Sequence, residues 1–125
     1  MSRGGFTTPK ATVRHSGNVA IVDLVGKITL GDGSGLVRNT VKDLLEGGHV
    51  NILLNLAGVT YLDSAGLGEM VGSYATVANK GGAIKILNPQ GKVKDLLAIT
   101  KLYTVFATFT DEAEAVRSFA SGATA

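Results

Sequence analysis

The run Val50-Asn51-Ile52-Leu53-Leu54-Asn55-Leu56 constrains the fold of this chain more than any other segment. It is nearly continuous in apolar residues and only strand-sized, which is how a central strand covered on one or both faces reads. A strand in that position needs neighbours that reach it through helical crossovers, packed against the sheet in the right-handed sense. The flanking sequence should then alternate between strand and helix patterns, and it does.

Ala11 to His15 reads as a short strand, Ser16-Gly17-Asn18 as a turn, and Val19 to Val25 as a β-branched strand, giving an N-terminal hairpin. A loop from Gly26 to Gly35 follows, carrying Gly31, Gly33 and Gly35. Ser34 is positioned to cap a helix whose Val37, Val41, Leu44 and Leu45 recur at helical spacing, and Gly47-Gly48 ends it. After Val59-Thr60-Tyr61-Leu62-Asp63 a second helix is predicted, with Leu67, Met70, Val71, Tyr74 and Ala78 on one face and Lys80-Gly81-Gly82 at its end. Ala83 to Leu87 is another strand. Asn88-Pro89 has the chemistry of a helix start, and Val93, Leu96 and Leu97 form that helix's inner side. Tyr103 to Phe106 is predicted as a last strand. Thr110 is the expected cap of a final helix, with Asp111 and Glu112 in its first turn and Ala113, Val116 and Phe119 or Ala120 facing inward.

The order β-β-α-β-α-β-α-β-α predicts a single α/β domain over residues 10–120, built on a mixed sheet of about four to five strands with about four helices packed mainly on one face. The order of strands in the sheet is left open by the sequence. Residues 1–9 and 121–125 are expected to be loose tails.

Composition removes whole classes of function. Lys plus Arg number 12 and Asp plus Glu 10, and the net charge of +2 is too small to argue for nucleic acid or an anionic membrane. The absence of cysteine excludes disulfides, thiol catalysis and zinc–thiolate sites, and it fits a reducing cytoplasm. Met1 to Lys10 lacks the apolar stretch of a signal peptide, and no apolar run is long enough for a bilayer, so a cytoplasmic protein outside the membrane is expected. The two histidines, His15 and His49, have no acid at ligand spacing, and each reads as a surface or strand-end imidazole with no metal to bind. Gly31-Asp32-Gly33-Ser34-Gly35-Leu36 lacks the third glycine of a dinucleotide fingerprint and the Lys-Ser/Thr of a P-loop. Gly33-Ser34-Gly35 does not have the spacing of a nucleophile elbow. With no catalytic set and no cofactor implied, the chain reads as a binding or switching protein and not as an enzyme.

Asp63-Ser64-Ala65-Gly66-Leu67-Gly68 stands between the central strand region and the second helix. Ser64 alone would read as a helix cap. Gly66 and Gly68 weaken the first turn, which a chain tolerates when a strand or a partner backbone must approach closely. A phosphoryl group on Ser64 would be welcomed by the positive helix N-terminus and repelled by Asp63. It would disturb a contact at that spot and leave the fold intact.

Together with Asn51 to Leu56 and Val59 to Leu62, this segment closely resembles the signature of STAS domains, especially bacterial anti-sigma-factor antagonists. Gly26-Lys27-Ile28, Gly81-Gly82-Ala83-Ile84-Lys85-Ile86 and Val93-Lys94-Asp95-Leu96-Leu97 fit later and earlier parts of the same pattern, so that the resemblance runs over roughly residues 10–119. It implies a partner switch with Ser64 as phosphoacceptor. The unphosphorylated antagonist would bind an anti-sigma factor that is also a serine kinase, thereby freeing a sigma factor for transcription. Phosphorylation would end the binding, and a serine phosphatase would restore it. The implied partner surface takes in Thr29, Asp32, Ser34, Thr60, Tyr61, Asp63, Ser64, Leu67 and Gly68, with Met70 better read as core. This chain has Thr29 where many relatives place an acid, and Asp32 lies later in a longer glycine-rich loop. A monomer or weak dimer is expected. The alternative is a non-switching STAS docking subunit of a transport or stress-signalling complex, in which Ser64 is only a cap.

Overall fold

The computed structural model describes residues 8–31 and 33–123, with side chains through Ala120. The N-terminal hairpin pairs β1 (Lys10–Ser16) with β2 (Val19–Ile28), and α1 (Leu36–Glu46) follows. The central strand β3 (Asn51–Leu62) leads into α2 (Ser64–Asn79), and β4 (Ala83–Leu87) into α3 (Gly91–Ile99). A 3₁₀ turn (Leu102–Thr104), a two-residue strand β5 (Thr108–Phe109) and α4 (Glu112–Ala123) complete the domain. The sheet runs in sequence order, β1-β2-β3-β4-β5, with β1 antiparallel to β2 and every other pair parallel. Of the expected tails, residues 1–7 and 124–125 lie outside the described residues, and the α4 backbone continues through Ala123. Among the described residues no helix is long and apolar enough to cross a membrane.

The central apolar run is continuous because both its faces are covered. Ile52, Leu54 and Leu56 face a core shared with α1, α2 and α3, to which β2 adds Ala20, Val22 and Leu24. Leu53 faces the opposite side with Val19, Ile21 and Leu87, beneath Ala115 and Phe119 of α4. Three helices therefore cover one face and α4 alone covers the other. Each fully buried Leu or Ile contributes about 1.5–3 kcal/mol of transfer free energy.

The predicted periodicity of α1 is observed, with Val37, Val41 and Leu44 buried and Leu45 partly so. Val93, Leu97 and partly Leu96 likewise form the inner side of α3. Element ends differ from expectation. Ser34 does not cap α1. Gly35 occupies the cap position at φ 82, and the orphan amides are satisfied by a side chain from another helix, described below. Asn88 does not start α3, because its N–H extends the β4–β5 ladder to the Phe109 carbonyl at 2.8 Å, and Gln90 takes the cap position instead. Asp111, not Thr110, caps α4, its carboxylate accepting from the Glu114 N–H at 2.9 Å.

The predicted strand Tyr103 to Phe106 is not a strand. Lys101 turns the chain at φ 61 into the 3₁₀ turn, and Phe106 drops wholly into the core, edge-on to Tyr74 at 5.4 Å. Phe106 thus serves burial and not a ladder, while Tyr103 is exposed. The inner face of α2 is also rotated from the one expected. Gly66, Met70, Ser73 and Val77 are buried, Leu67 and Tyr74 pack partly against the core, and Val71 and Ala78 are exposed. In α4, Ala115 and Phe119 face inward, while Ala113 and Ala120 are exposed.

Candidate functional site

Parallel strands β2 and β3 end side by side, with Lys27 beside Tyr61 and Ile28 beside Leu62. The chain leaves β3 at Leu62 and enters α2 at Ser64, so the start of α2 lies at the carboxyl end of the sheet. That is where ligands and partners meet open parallel sheets in general. Asp63 makes the junction rigid. One carboxylate oxygen accepts the Gly66 N–H at 2.9 Å and so caps α2. The other accepts the Leu30 N–H at 3.0 Å and pins the loop after β2. The Gly66 amide first, and the Leu30 amide second, hold the Asp63 carboxyl below the ordinary carboxylate range, so it is charged at neutral pH.

Because Asp63 performs the capping, Ser64 does not. It is the first helical residue of α2, and it is exposed. Its hydroxyl stands in the turn where unpaired N–H groups and the helix dipole favour an added anion, next to a carboxylate that disfavours one.

The glycines around it divide into two kinds. A Cβ on Gly66 would collide with the Ile28 carbonyl oxygen and come within 2.8 Å of Leu62 Cδ1, so this glycine lets the first turn of α2 seat on the end of β2. Gly68 and Gly72 have nothing within 4 Å of where a Cβ would stand. They leave the helix backbone bare on the side facing α1 and solvent.

The remaining residues of the expected partner surface fall as follows. Thr60 and Tyr61 are exposed at the end of β3, and Ser34 is exposed in the loop before α1. Thr29 is half-buried, Gly68 is exposed, and Leu67 is half-buried against the core. Met70 is fully buried and belongs to the core. Asp32 lies outside the described residues. Thr29, Thr60, Tyr61, Asp63 and Ser64 gather at one end of the sheet through the β2–β3 pairing, and Ser34 joins Gly68 across the α1–α2 groove.

Two residues that no motif singles out lie beside these. Leu30 is 70% exposed on the pinned loop. Glu69, on α2, reaches across to the start of α1, accepting the Gly35 N–H at 2.6 Å and the Arg38 N–H at 3.3 Å. One carboxylate at the head of α2 thus fixes the loop after β2, and a second fixes the loop before α1. No local motif announces Glu69, because its partners lie more than thirty residues away.

His15 and His49, read from sequence as separate, lie with ring centroids 4.9 Å apart at the amino end of the strands, away from Ser64. Among the described residues no group of three His, Cys, Asp or Glu could hold a metal ion.

The STAS domain family model matches residues 10–115. The chain is 27% identical over 105 residues to an anti-sigma F factor antagonist of Paenibacillus polymyxa, covering 83% of this chain and 89% of that protein. It is 31% identical over 90 residues to the anti-sigma-B factor antagonist of Bacillus subtilis strain 168, covering 72% of this chain and 81% of that one. The Bacillus cell-fate determinant SpoIIAA in its phosphorylated form superposes with a TM-score of 0.67 at 17% identity, over 87% of this chain and 98% of that one. Its unphosphorylated form gives a TM-score of 0.65 at 18% identity, over 87% and 96%.

Proposed function

The chain belongs to the STAS family, and on that premise we propose that it is an anti-sigma-factor antagonist controlled by phosphorylation of Ser64. Unphosphorylated, it binds an anti-sigma factor with serine kinase activity and so releases a sigma factor. The kinase phosphorylates Ser64 and is itself released, and a serine phosphatase resets the cycle in the cytoplasm. The antagonist names of the Paenibacillus and Bacillus relatives support the binding role. The observation that carries the switch is the division of labour at the head of α2. Asp63 makes the capping bonds, and the exposed Ser64 hydroxyl is spared for chemistry.

Phosphoryl transfer to Ser64 would exchange the hydroxyl proton for a phosphoryl group taken from ATP, leaving ADP. The product carries about two negative charges at neutral pH. They lie at the positive end of α2, which favours them, so the helix should persist. The same charges lie beside ionised Asp63 and next to exposed Leu30 and Tyr61, where a partner's apolar contact would have to dehydrate them. Binding is lost while the fold is kept.

The test is to mix the protein with each candidate anti-sigma kinase from neighbouring genes and ATP, and to locate phosphate by mass spectrometry. One phosphate on Ser64, absent in Ser64→Ala, is expected. Ser64→Ala should bind the kinase constitutively, and Ser64→Asp should retain its circular dichroism but bind at least about tenfold more weakly. No phosphate with any neighbouring kinase would overturn the switch and leave a docking subunit of a transport or stress-signalling complex.

A further inference from the structure

A groove of about 750 Å³ runs between α1 and α2. Small-molecule sites span roughly 300–1,000 Å³. Gly68 and Gly72 line it, and the absence of any atom within 4 Å of their missing Cβ positions leaves α2 backbone as its floor. Leu30 and Leu45 contribute apolar walls.

Two further features point to an occupant. The first is charge. Arg38 and Lys42 stand one turn apart on α1, and Lys80 lies at the C-terminal end of α2, all lining the groove. Glu46 and Glu69 also line it, but both oxygens of Glu69 are engaged by the Gly35 and Arg38 amides. Arg38 also lies 3.9 Å from Glu69, so the lining carries three cations against two carboxylates and is net positive by one charge. The second is Ser73, which is only 5% exposed and lines the groove. Its hydroxyl has no hydrogen-bond partner among the described residues. Thr76 on the same helix makes the usual bond back to the carbonyl four residues earlier, at 3.0 Å to Gly72. Among the described residues no buried side-chain oxygen is without a partner, so this hydroxyl is open to the groove, where a ligand atom can bond it in place of water.

We propose that this groove binds a small organic anion with an apolar body. The body lies over Gly68 and Gly72 between Leu30 and Leu45, the acidic group meets Arg38 and Lys42, and a polar atom meets Ser73. The site stands whether or not Ser64 is phosphorylated. It shares Leu30 and Glu69 with the loops around Ser64, so an occupant would be felt at the partner surface.

The probes are anilinonaphthalene sulfonate, read by its fluorescence, and decanoate as its competitor, with decanol as the uncharged control. Saturable one-to-one binding to the folded protein is expected, displaced by decanoate about tenfold better than by decanol. Gly72→Leu should abolish it, and Arg38→Gln with Lys42→Gln should erase the preference for decanoate, while circular dichroism stays unchanged. NMR titration of the unmodified protein should shift the Gly68, Gly72 and Ser73 amides, which keeps the test decisive if a variant fails to fold. Absence of saturable binding, equal displacement by decanol, or shifts centred on the His15–His49 end would overturn the proposal.

Discussion

Glycines 66 and 72 sit on one helix, and residue chemistry alone would treat them alike. Their surroundings give them opposite roles. Gly66→Ala would drive a Cβ into the Ile28 carbonyl oxygen, a backbone atom that cannot turn aside, and against the Leu62 Cδ1 methyl. Overpacking of this kind costs about 1–3 kcal/mol. Gly72→Ala meets open space and removes the entropy penalty of a helical glycine, so it should stabilise by roughly 0.5–1 kcal/mol. Urea unfolding of the two variants should give shifts of opposite sign. Two shifts of the same sign would mean that the seat of α2 on β2 is misread. The sequence placed glycines at the head of α2 and implied close approach. Only the neighbours separate the glycine that seats the helix from those that bare it.

At the scale of elements, Glu69 replaces the local cap that α1 lacks. Gly35 offers no side chain, and Ser34 does not substitute for it. Glu69→Ala should cost about 1–2 kcal/mol, the value of a lost N-cap, although no residue of α1 is changed. Amide hydrogen exchange at Gly35 and Arg38 should accelerate selectively. Unchanged protection at Gly35 would show that the bond from α2 does not hold the loop. The inner side of α1, with its strong apolar period, was legible from sequence because local spacing decides which face is buried, and Val93, Leu96 and Leu97 marked that of α3. The ends were not, because they are set by distant groups: Glu69 at α1, the Phe109 carbonyl at Asn88, and the core beneath Phe106. The site followed the same rule. Asp63-Ser64 was visible because junction and motif are contiguous, whereas Leu30 and Glu69 join it only through the sheet and across α1.

The whole molecule depends on α4 staying on its face of the sheet. Besides Ala115 and Phe119, it is tied there by Arg14 of β1, whose guanidinium binds Asp23 of β2 at 2.6 and 3.1 Å and Glu112 of α4 at 2.6 and 2.9 Å. Asn55 of β3 adds a bond to Asp23 at 2.8 Å, so three strands and a helix share one network. Hydrogen bonding to Arg14 is the first cause that lowers both the Asp23 and the Glu112 carboxyls. A carboxyl whose pKa is lower in the folded chain stabilises it above the unfolded value, roughly 3.9 for Asp and 4.3 for Glu. That contribution falls away as pH drops through and below this range. The arginine and Glu112 side chains are 44% and 41% exposed, so solvent screening holds the network to about 1 kcal/mol. Arg14→Gln should lose that amount at pH 7 and little at pH 3, flattening the stability profile between them. Asp63, shifted in the same direction by backbone amides, should leave a residual slope of the same sign. Thermal unfolding of both proteins from pH 3 to 7 reads the difference. Parallel profiles would mean that the arginine is ornamental and that α4 is held by its apolar contacts alone.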